Sequence, residues 1–351
     1  MRPPNLAPWA RVPRCGPDRD RRHVRTGRRV AVGLVVVATA LAAGHPAGAA
    51  VLARSAADAT ADLLTWWEAA VLGVVEGITE YLPISSTGHL LITARLLGLP
   101  DEKGSAGLDA VNTYVVAIQF GAILAVLGLF WRRFVDMVQG LVGRNPDGRR
   151  LLVNLVIAFL PAAILGFVFD SAIEDALFGP WPIVLAWIGG GILILVLERN
   201  GRIPDRGVPD AEPGDEEGAD ALAAITNRQA LLIGLAQCVA LVPGTSRSLA
   251  TILGALLVGV AMPAAVEFSF LLGFATRSAA TFYKLAGDGG TLVDQFGVAD
   301  PLIGALFAFL AAVLAIRWLL TYLERHDLSI FAWYRFAVAG LAIVALVGGV
   351  I

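Results

Sequence analysis

Glu76-Gly77-Ile78-Thr79-Glu80-Tyr81-Leu82-Pro83-Ile84-Ser85-Ser86-Thr87-Gly88-His89 sets two carboxylates, a cluster of hydroxyls and an imidazole inside a stretch otherwise apolar enough for lipid. Pro83 interrupts it, because proline lacks the backbone N–H and its ring collides with the preceding turn. The segment 63–99 therefore reads as two half-helices that enter and return without crossing, a geometry tolerated at membrane depth only where it is buried in protein or lines a cavity. A charged side chain at bilayer depth costs from about 3 to more than 10 kcal/mol, so groups kept there mark a functional site and call for partners. The partner on offer is Arg247, the only cation in the two polar islands. It sits in Pro243-Gly244-Thr245-Ser246-Arg247-Ser248, a second broken island inside a second apolar run, 229–262.

Composition agrees that the solvent is a membrane. Of 351 residues 57% are hydrophobic and 16% charged, against about a quarter charged in soluble domains, and the mean hydropathy is +0.71. A net charge of −2 argues against a nucleic-acid partner, which calls for a basic patch. Cys15 lies in an arginine-rich tail and Cys238 in an apolar helix, so neither a disulfide framework nor a cysteine metal site follows.

Residues 1–60 read differently from the rest. Arginines from Arg2 to Arg29 precede the apolar run Val30 to Ala43, and small residues follow at Ala47-Gly48-Ala49-Ala50. That order is a secretory signal or a signal anchor, and it equally fits a true start nearer Leu63; either way the leader stands apart from the active unit.

Past residue 60, apolar runs near 111–131, 151–169, 178–197, 265–283, 302–320 and 328–351 are each about the 20 residues a bilayer requires. The expected architecture is all-α and polytopic, with six spans and two re-entrant helix pairs. Arg132, Arg133, Arg144, Arg149 and Arg150 mark their loop as cytoplasmic, whereas the loop with Asp170, Glu174 and Asp175 faces out. Alternation puts 198–228 inside, 284–300 outside, and 63–99 on the outer side. The Pro/Gly/acid-rich stretch Pro204 to Asp220 reads as a disordered linker. Each island is followed by three spans, and one dips in from outside while the other dips in from inside. This is the pattern of an inverted-topology repeat, with units 61–200 and 229–351 joined by the linker 201–228, whose half-helix N-termini meet at an anionic ligand. Between the copies Pro83 aligns with Pro243 and Ser86 with Ser246.

The islands carry a chemistry. Glu76 and Glu80, four residues apart, share a helix face; hard oxygen ligands of this kind suit Mg²⁺ or Ca²⁺ bound jointly with a phosphate. The plainer reading is that they pair with a basic residue or snorkel to the interface. His89, flanked by Ser86 and Glu80, reads as a general acid–base, against the simpler role of a hydrogen-bonded core histidine. Thr245, Ser246 and Ser248 fit helix caps, and Arg247 beside them turns a cap into a phosphate cradle. Ser85 and Thr87 are the matching candidates in the first island. The nucleophile is either Ser86, with a base and a carboxylate in reach, or a water on a cation held by Glu76 and Glu80.

Together with Ile118-Gln119-Phe120-Gly121-Ala122-Ile123-Leu124-Ala125-Val126, Pro161-Ala162-Ala163-Ile164-Leu165-Gly166 and Glu267-Phe268-Ser269-Phe270-Leu271-Leu272, the two islands resemble the undecaprenyl-diphosphatase, or bacitracin-resistance phosphatase, family of bacterial envelopes. The resemblance covers about residues 63–351. It implies removal of the terminal phosphate of undecaprenyl diphosphate, a polyprenyl lipid substrate, to give the monophosphate carrier reused in peptidoglycan synthesis. It also implies a divalent cation, a place in the bacterial inner membrane with the site opening outward, and functional roles for Glu76, Glu80, Ser85, Ser86, His89, Ser246 and Arg247. Two positions depart from the family pattern: Val115 stands where an acid is frequent and Ala275 where a proline is frequent, with Arg277 unexpectedly polar nearby. The alternative with the same topology is a transporter or flippase for an anionic lipid phosphate, told apart by phosphate release from the purified protein.

Overall fold

The computed structural model describes residues 64–99, 106–203 and 221–348, all within one unit, Asp58–Ile351. The leader 1–60 and the linker stretch Pro204 to Asp220 lie outside the described residues. Those residues form α1 (Trp66–Tyr81), α2 (Ser86–Leu96), α3 (Ala106–Leu129), α4 (Trp131–Leu141), α5 (Pro146–Leu177) and α6 (Pro180–Arg199). After the linker come α7 (Asn227–Gln237, continued by the 3₁₀ turn Cys238–Leu241), α8 (Arg247–Leu257), α9 (Met262–Phe296), α10 (Ala299–Leu323) and α11 (Ser329–Val347). No strand occurs among the described residues.

Five stretches are helical, long and apolar enough to cross a membrane: Val111–Leu129, Pro146–Phe169, Pro180–Arg199, Ala299–Leu323 and Ser329–Val347. Large apolar side chains such as Phe167, Leu314 and Val347 lie exposed on them, as residues facing lipid do. The run 265–283, expected as a sixth span, is helical within α9 but is not among the five. Glu267 and Arg277 dilute its apolar character, and both charges are used inside the protein. Arg133 Nε donates to Glu267 Oε1 at 2.6 Å with both side chains buried, and Arg277 reaches the site described below.

Both broken helices form as Pro83 and Pro243 dictate. The α1 helix opens with the Glu68 carboxylate accepting from the Thr65 backbone N–H at 2.8 Å, and α7 opens with a Thr226/Gln229 capping box. Each helix ends where the residue before a proline is driven out of the helical region: Leu82 has φ −72°, ψ 147°, and Val242 has φ −74°, ψ 116°. The chain re-enters a helix through Ser85 at φ 76°, ψ 109° and through Ser246 at φ 75°, ψ 116°. These two serines are the only non-glycine residues at positive φ among the described residues. Backbone geometry thus pairs Ser85 with Ser246 and Ser86 with Arg247, one residue off the pairing of Ser86 with Ser246 that letter matching suggests. The second break, 242–246, is one residue longer than the first, 82–85.

Small residues let the helices around the first break approach closely. At Gly73 and Gly77 of α1 an added Cβ meets the Gly304 and Ala308 backbone of α10, and at Gly121 of α3 it meets Ala305. Backbone-to-backbone contact of this kind is how helices associate where no hydrophobic drive separates protein from lipid. It seats α1, and with it the carboxylates, in the interior: Glu76 is 0% exposed.

Candidate active site at the two helix breaks

Broken helices leave backbone carbonyls without intrahelical partners. Arg335 of α11, fully buried, collects them. Its Nη1 donates to the Pro83 carbonyl at 3.1 Å, and its Nη2 to the carbonyls of Gly244 at 3.0 Å, Thr245 at 3.1 Å and Ala186 at 2.9 Å. The Nε donates to Trp187 at 3.2 Å. A guanidinium has five N–H donors in a fixed fork, and here that fork ties the first break to the second. Gly190 makes room for it, since a Cβ there overlaps the Arg335 guanidinium.

Between the tied breaks stands Glu80, buried at the end of α1. Ser86 Oγ donates to its Oε2 at 2.7 Å, and Arg247 Nη2 donates to its Oε1 at 2.9 Å. These donors occupy the matched first positions of α2 and α8, so the two breaks deliver a hydroxyl and a guanidinium to one carboxylate. A third helix adds Arg277, whose Nε donates to Oε1 at 2.9 Å and whose Nη2 donates to Oε2 at 3.3 Å. A carboxylate offers about four lone-pair positions, and all are used. Arg247 is itself positioned: its Nη1 donates to the Ser269 carbonyl at 2.9 Å, and its guanidinium lies 5.8 Å from the Tyr81 ring centroid, within cation–π range.

A cleft opens on this cluster. Glu80, Ser85, Ser86 and Thr87 line it from the first break, Pro243, Gly244, Ser246 and Arg247 from the second, and Arg277 from α9. The space within it, open solvent at the mouth included, is about 290 Å³. Both helix N-termini face it, and such termini attract anions through free N–H groups and the helix dipole. The Ser246 hydroxyl caps α8 by accepting from the Leu249 N–H at 3.3 Å, whereas the Ser85 side chain makes no cap bond, leaving the α2 donors for a ligand.

The remaining candidates sit around this centre. Ser248 Oγ donates to the Leu82 carbonyl at 3.0 Å and lies 3.0 Å from Ser246 Oγ, joining the breaks rather than lining the cleft; Thr245 contributes its carbonyl to Arg335. His89 is also outside the lining. Its Nδ1 is 2.6 Å from the Ser85 carbonyl, which only accepts, so Nδ1 carries the proton and donates. Nε2 of the neutral ring then accepts from Tyr334 Oη at 2.8 Å. Glu76 has both carboxylate oxygens buried without a hydrogen-bond partner, an expensive state for a charge and one that a cation would relieve. No cluster of three or more His, Cys, Asp or Glu side chains suited to a metal occurs among the described residues. A cation held here would draw its other ligands from phosphate oxygens, as small hard cations commonly do.

Sequence reasoning missed the roles of Arg277 and Arg335. The signal was present: each is a lone guanidinium within an apolar run, where an ionisable group is costly enough to indicate function.

A family model described as "Bacitracin resistance protein BacA" matches residues 69–341. An undecaprenyl-diphosphatase 2 of Rhodospirillum rubrum is 46% identical over 285 residues, 81% of this chain and 96% of that relative. An undecaprenyl-diphosphatase of Sorangium cellulosum is 42% identical over 79% of this chain and 85% of its own length. One of Methylibium petroleiphilum is 41% identical over 82% and 98%, respectively.

Proposed function

The chain belongs to the bacitracin resistance protein BacA family, and we propose that it is a multi-pass membrane phosphatase that hydrolyses undecaprenyl diphosphate to undecaprenyl phosphate and inorganic phosphate. The observation that carries this reading is Glu80 shared by Ser86, Arg247 and Arg277 at the meeting of two helix N-termini. Phosphoryl transfer needs little covalent help from protein. It needs positioning and cations aimed at the oxygens where charge gathers, and this cleft supplies both.

In the proposed reaction the terminal phosphate lies against the α2 N-terminus and the guanidinium of Arg247, with the prenyl tail outside the cleft between helices. Ser86 Oγ attacks the terminal phosphorus while its proton passes to Glu80, the group it already bonds. The bond from that phosphorus to the bridging oxygen breaks, and the lipid monophosphate leaves with the bridging oxygen. A water then attacks the phosphoserine, restoring the Ser86 hydroxyl and releasing phosphate. A divalent cation, Mg²⁺ or Ca²⁺, held by Glu76 and Glu80 would neutralise charge on the phosphate oxygens. His89 holds the Ser85 carbonyl, and so the strained turn that presents Ser86.

The same reading includes six crossings, with α9 as the sixth, its charges buried in the protein. It also includes an inverted-topology repeat, supported by the matched serine conformations, and a cleft opening to the outer side of the inner membrane, supported by the loop charges. Phosphate release from a long-chain prenyl diphosphate by detergent-purified protein, with and without chelator, tests the activity. With substrate radiolabelled on the terminal phosphate, acid-quenched enzyme carries label and Ser86→Ala carries none and does not turn over. Substantial turnover by Ser86→Ala assigns the attack to water, and absence of phosphate release by the wild type favours a carrier of lipid phosphates instead.

A further inference from the structure

Arg277 is the one residue of the cluster that lies outside both polar islands. It reaches Glu80 from α9 through two N–H groups, at 2.9 and 3.3 Å. Its side chain is 25% exposed where that of Arg247 is 6%, so of the two cations Arg277 lies nearer the cleft mouth and is the freer to move. Glu80, with both oxygens taken by Arg277, Arg247 and Ser86, has no lone pair left for a cation. Four residues earlier, Glu76 is buried with both oxygens unpartnered. A cation and an anionic headgroup therefore face one obstacle: each needs a group that is paired to the other's group.

We propose that Arg277 is a displaceable counter-ion of Glu80, whose release couples cation binding to diphosphate binding. The inference rests on the phosphatase reading above. When a cation takes the Glu80 carboxylate beside Glu76, the Arg277 fork is freed toward the cleft, where it meets the two phosphates of the headgroup. When the headgroup draws Arg277 away, Glu80 regains lone pairs for the cation. The Glu80–Arg277 pair is broken once and both ligands benefit, which is positive coupling with the reciprocity that linkage requires. Arg247 does not serve this way, because its second nitrogen is fixed on the Ser269 carbonyl and Gly273 packs against its guanidinium.

Two variants expose the pair, each by tightening a ligand after loss of a site residue, which a merely structural role does not do. Arg277→Gln frees lone pairs on Glu80, so Ca²⁺ alone, titrated calorimetrically, binds at least fivefold more tightly than to the wild type, the lower end of ordinary coupling. Glu80→Gln releases Arg277, so a prenyl methylene-bisphosphonate, whose bridge the enzyme cannot cleave, binds at least fivefold more tightly in the presence of chelator. Unchanged or weakened affinity in both titrations overturns the proposal, and tightening in either variant supports it should the other fail to fold. Phosphate release by the same wild-type preparation separates the two levels. An active wild type with unresponsive variants sinks the counter-ion role alone, whereas an inactive wild type sinks the phosphatase reading.

Discussion

Gly273→Ala is the most informative single perturbation, because it moves the proposed phosphate-binding arginine without altering any polar group. Gly273 lies on α9 one turn after Ser269. A Cβ built on it falls well inside van der Waals contact of the Arg247 guanidinium, against Cζ and both Nη atoms. To clear it the guanidinium must shift by more than about an ångström, while its bonds to Glu80 and Ser269 are each 2.9 Å long and have no slack. Misplacement on that scale costs about 10²-fold in rate, and loss of one charge-stabilising donor costs about 10²–10³-fold. We expect kcat to fall by about 10² or more, roughly 2.7 kcal/mol at 1.36 kcal/mol per decade. Stability responds differently. Replacing an interior helical glycine by alanine gains about 0.8–1 kcal/mol, which offsets part of the strained ion pair, so the melting temperature changes far less than the rate. Gly340→Ala on α11 is the matched control, since a Cβ there meets nothing within 4 Å; it retains activity. The assay is phosphate release from a prenyl diphosphate at saturating substrate, beside thermal melting of the same detergent samples. A Gly273→Ala enzyme with wild-type kcat would refute the claim that Arg247 acts from this seat.

Arg247→Ala lowers the rate at least 100-fold, the scale for a lost charge-stabilising donor, and Arg247→Lys recovers little of it because an ammonium cannot make the forked contact; steady-state kinetics of both variants check this. Arg335→Met destabilises by upward of about 3 kcal/mol, since the buried carbonyls it served lose their donors at about 1–3 kcal/mol each, and Arg335→Lys does not rescue it; unchanged melting in both would remove the staple. His89→Ala slows phosphate release by freeing the Ser85 carbonyl, and His89→Asn, which retains an N–H donor, restores part of the rate; an equally inactive His89→Asn would indicate proton transfer at the ring instead. With Cys15 and Cys238 replaced, Val298→Cys in intact cells reacts with an impermeant thiol reagent and Arg202→Cys does not; the reverse pattern would turn the cleft toward the cytoplasm.

Both helix breaks are legible from Pro83 and Pro243, since the covalent constraint of proline acts whatever surrounds it. Glu80, Ser86 and Arg247 are legible for a different reason: polar groups in an apolar run are too costly to be idle. The register of the two breaks was not legible. Matching letters pairs Ser86 with Ser246, while the chain matches conformations and pairs Ser85 with Ser246, a relation held in backbone dihedrals that no residue type dictates. Arg335 escaped because its partners are carbonyls, which every residue carries. His89 reads from sequence as a proton carrier beside Ser86, yet its ring is engaged by Tyr334, 245 positions away, and such a partner leaves no local trace. The run 265–283 is a different case. Counting apolar residues in 265–283 overlooks that Glu267 and Arg277 are internal charges, each paired with a residue more than a hundred positions distant.

The cluster explains why so much of the surrounding structure is devoted to holding it. Ser85 and Ser246 occupy backbone conformations that cost on the order of 1–3 kcal/mol each and persist only where neighbours over-determine them. Those neighbours are identifiable. His89 pulls on the Ser85 carbonyl, Ser248 ties the second break to Leu82 of the first, and Arg335 draws on the carbonyls of Pro83, two residues before Ser85, and of Thr245, just before Ser246. None of these residues need touch a phosphate, yet each fixes the angle at which Ser86 and Arg247 converge on Glu80. The strain is tolerable because the frame behind it is rigid: α1 is pressed against the α10 backbone through Gly73 and Gly77, with no flexible side chain there to yield. A carboxylate carried on that helix keeps its place in the proposed exchange, in which Arg277 leaves it for a substrate anion. That invariance suits Glu80 to the two parts proposed for it, holding the resting site together and receiving the proton of the serine beside it.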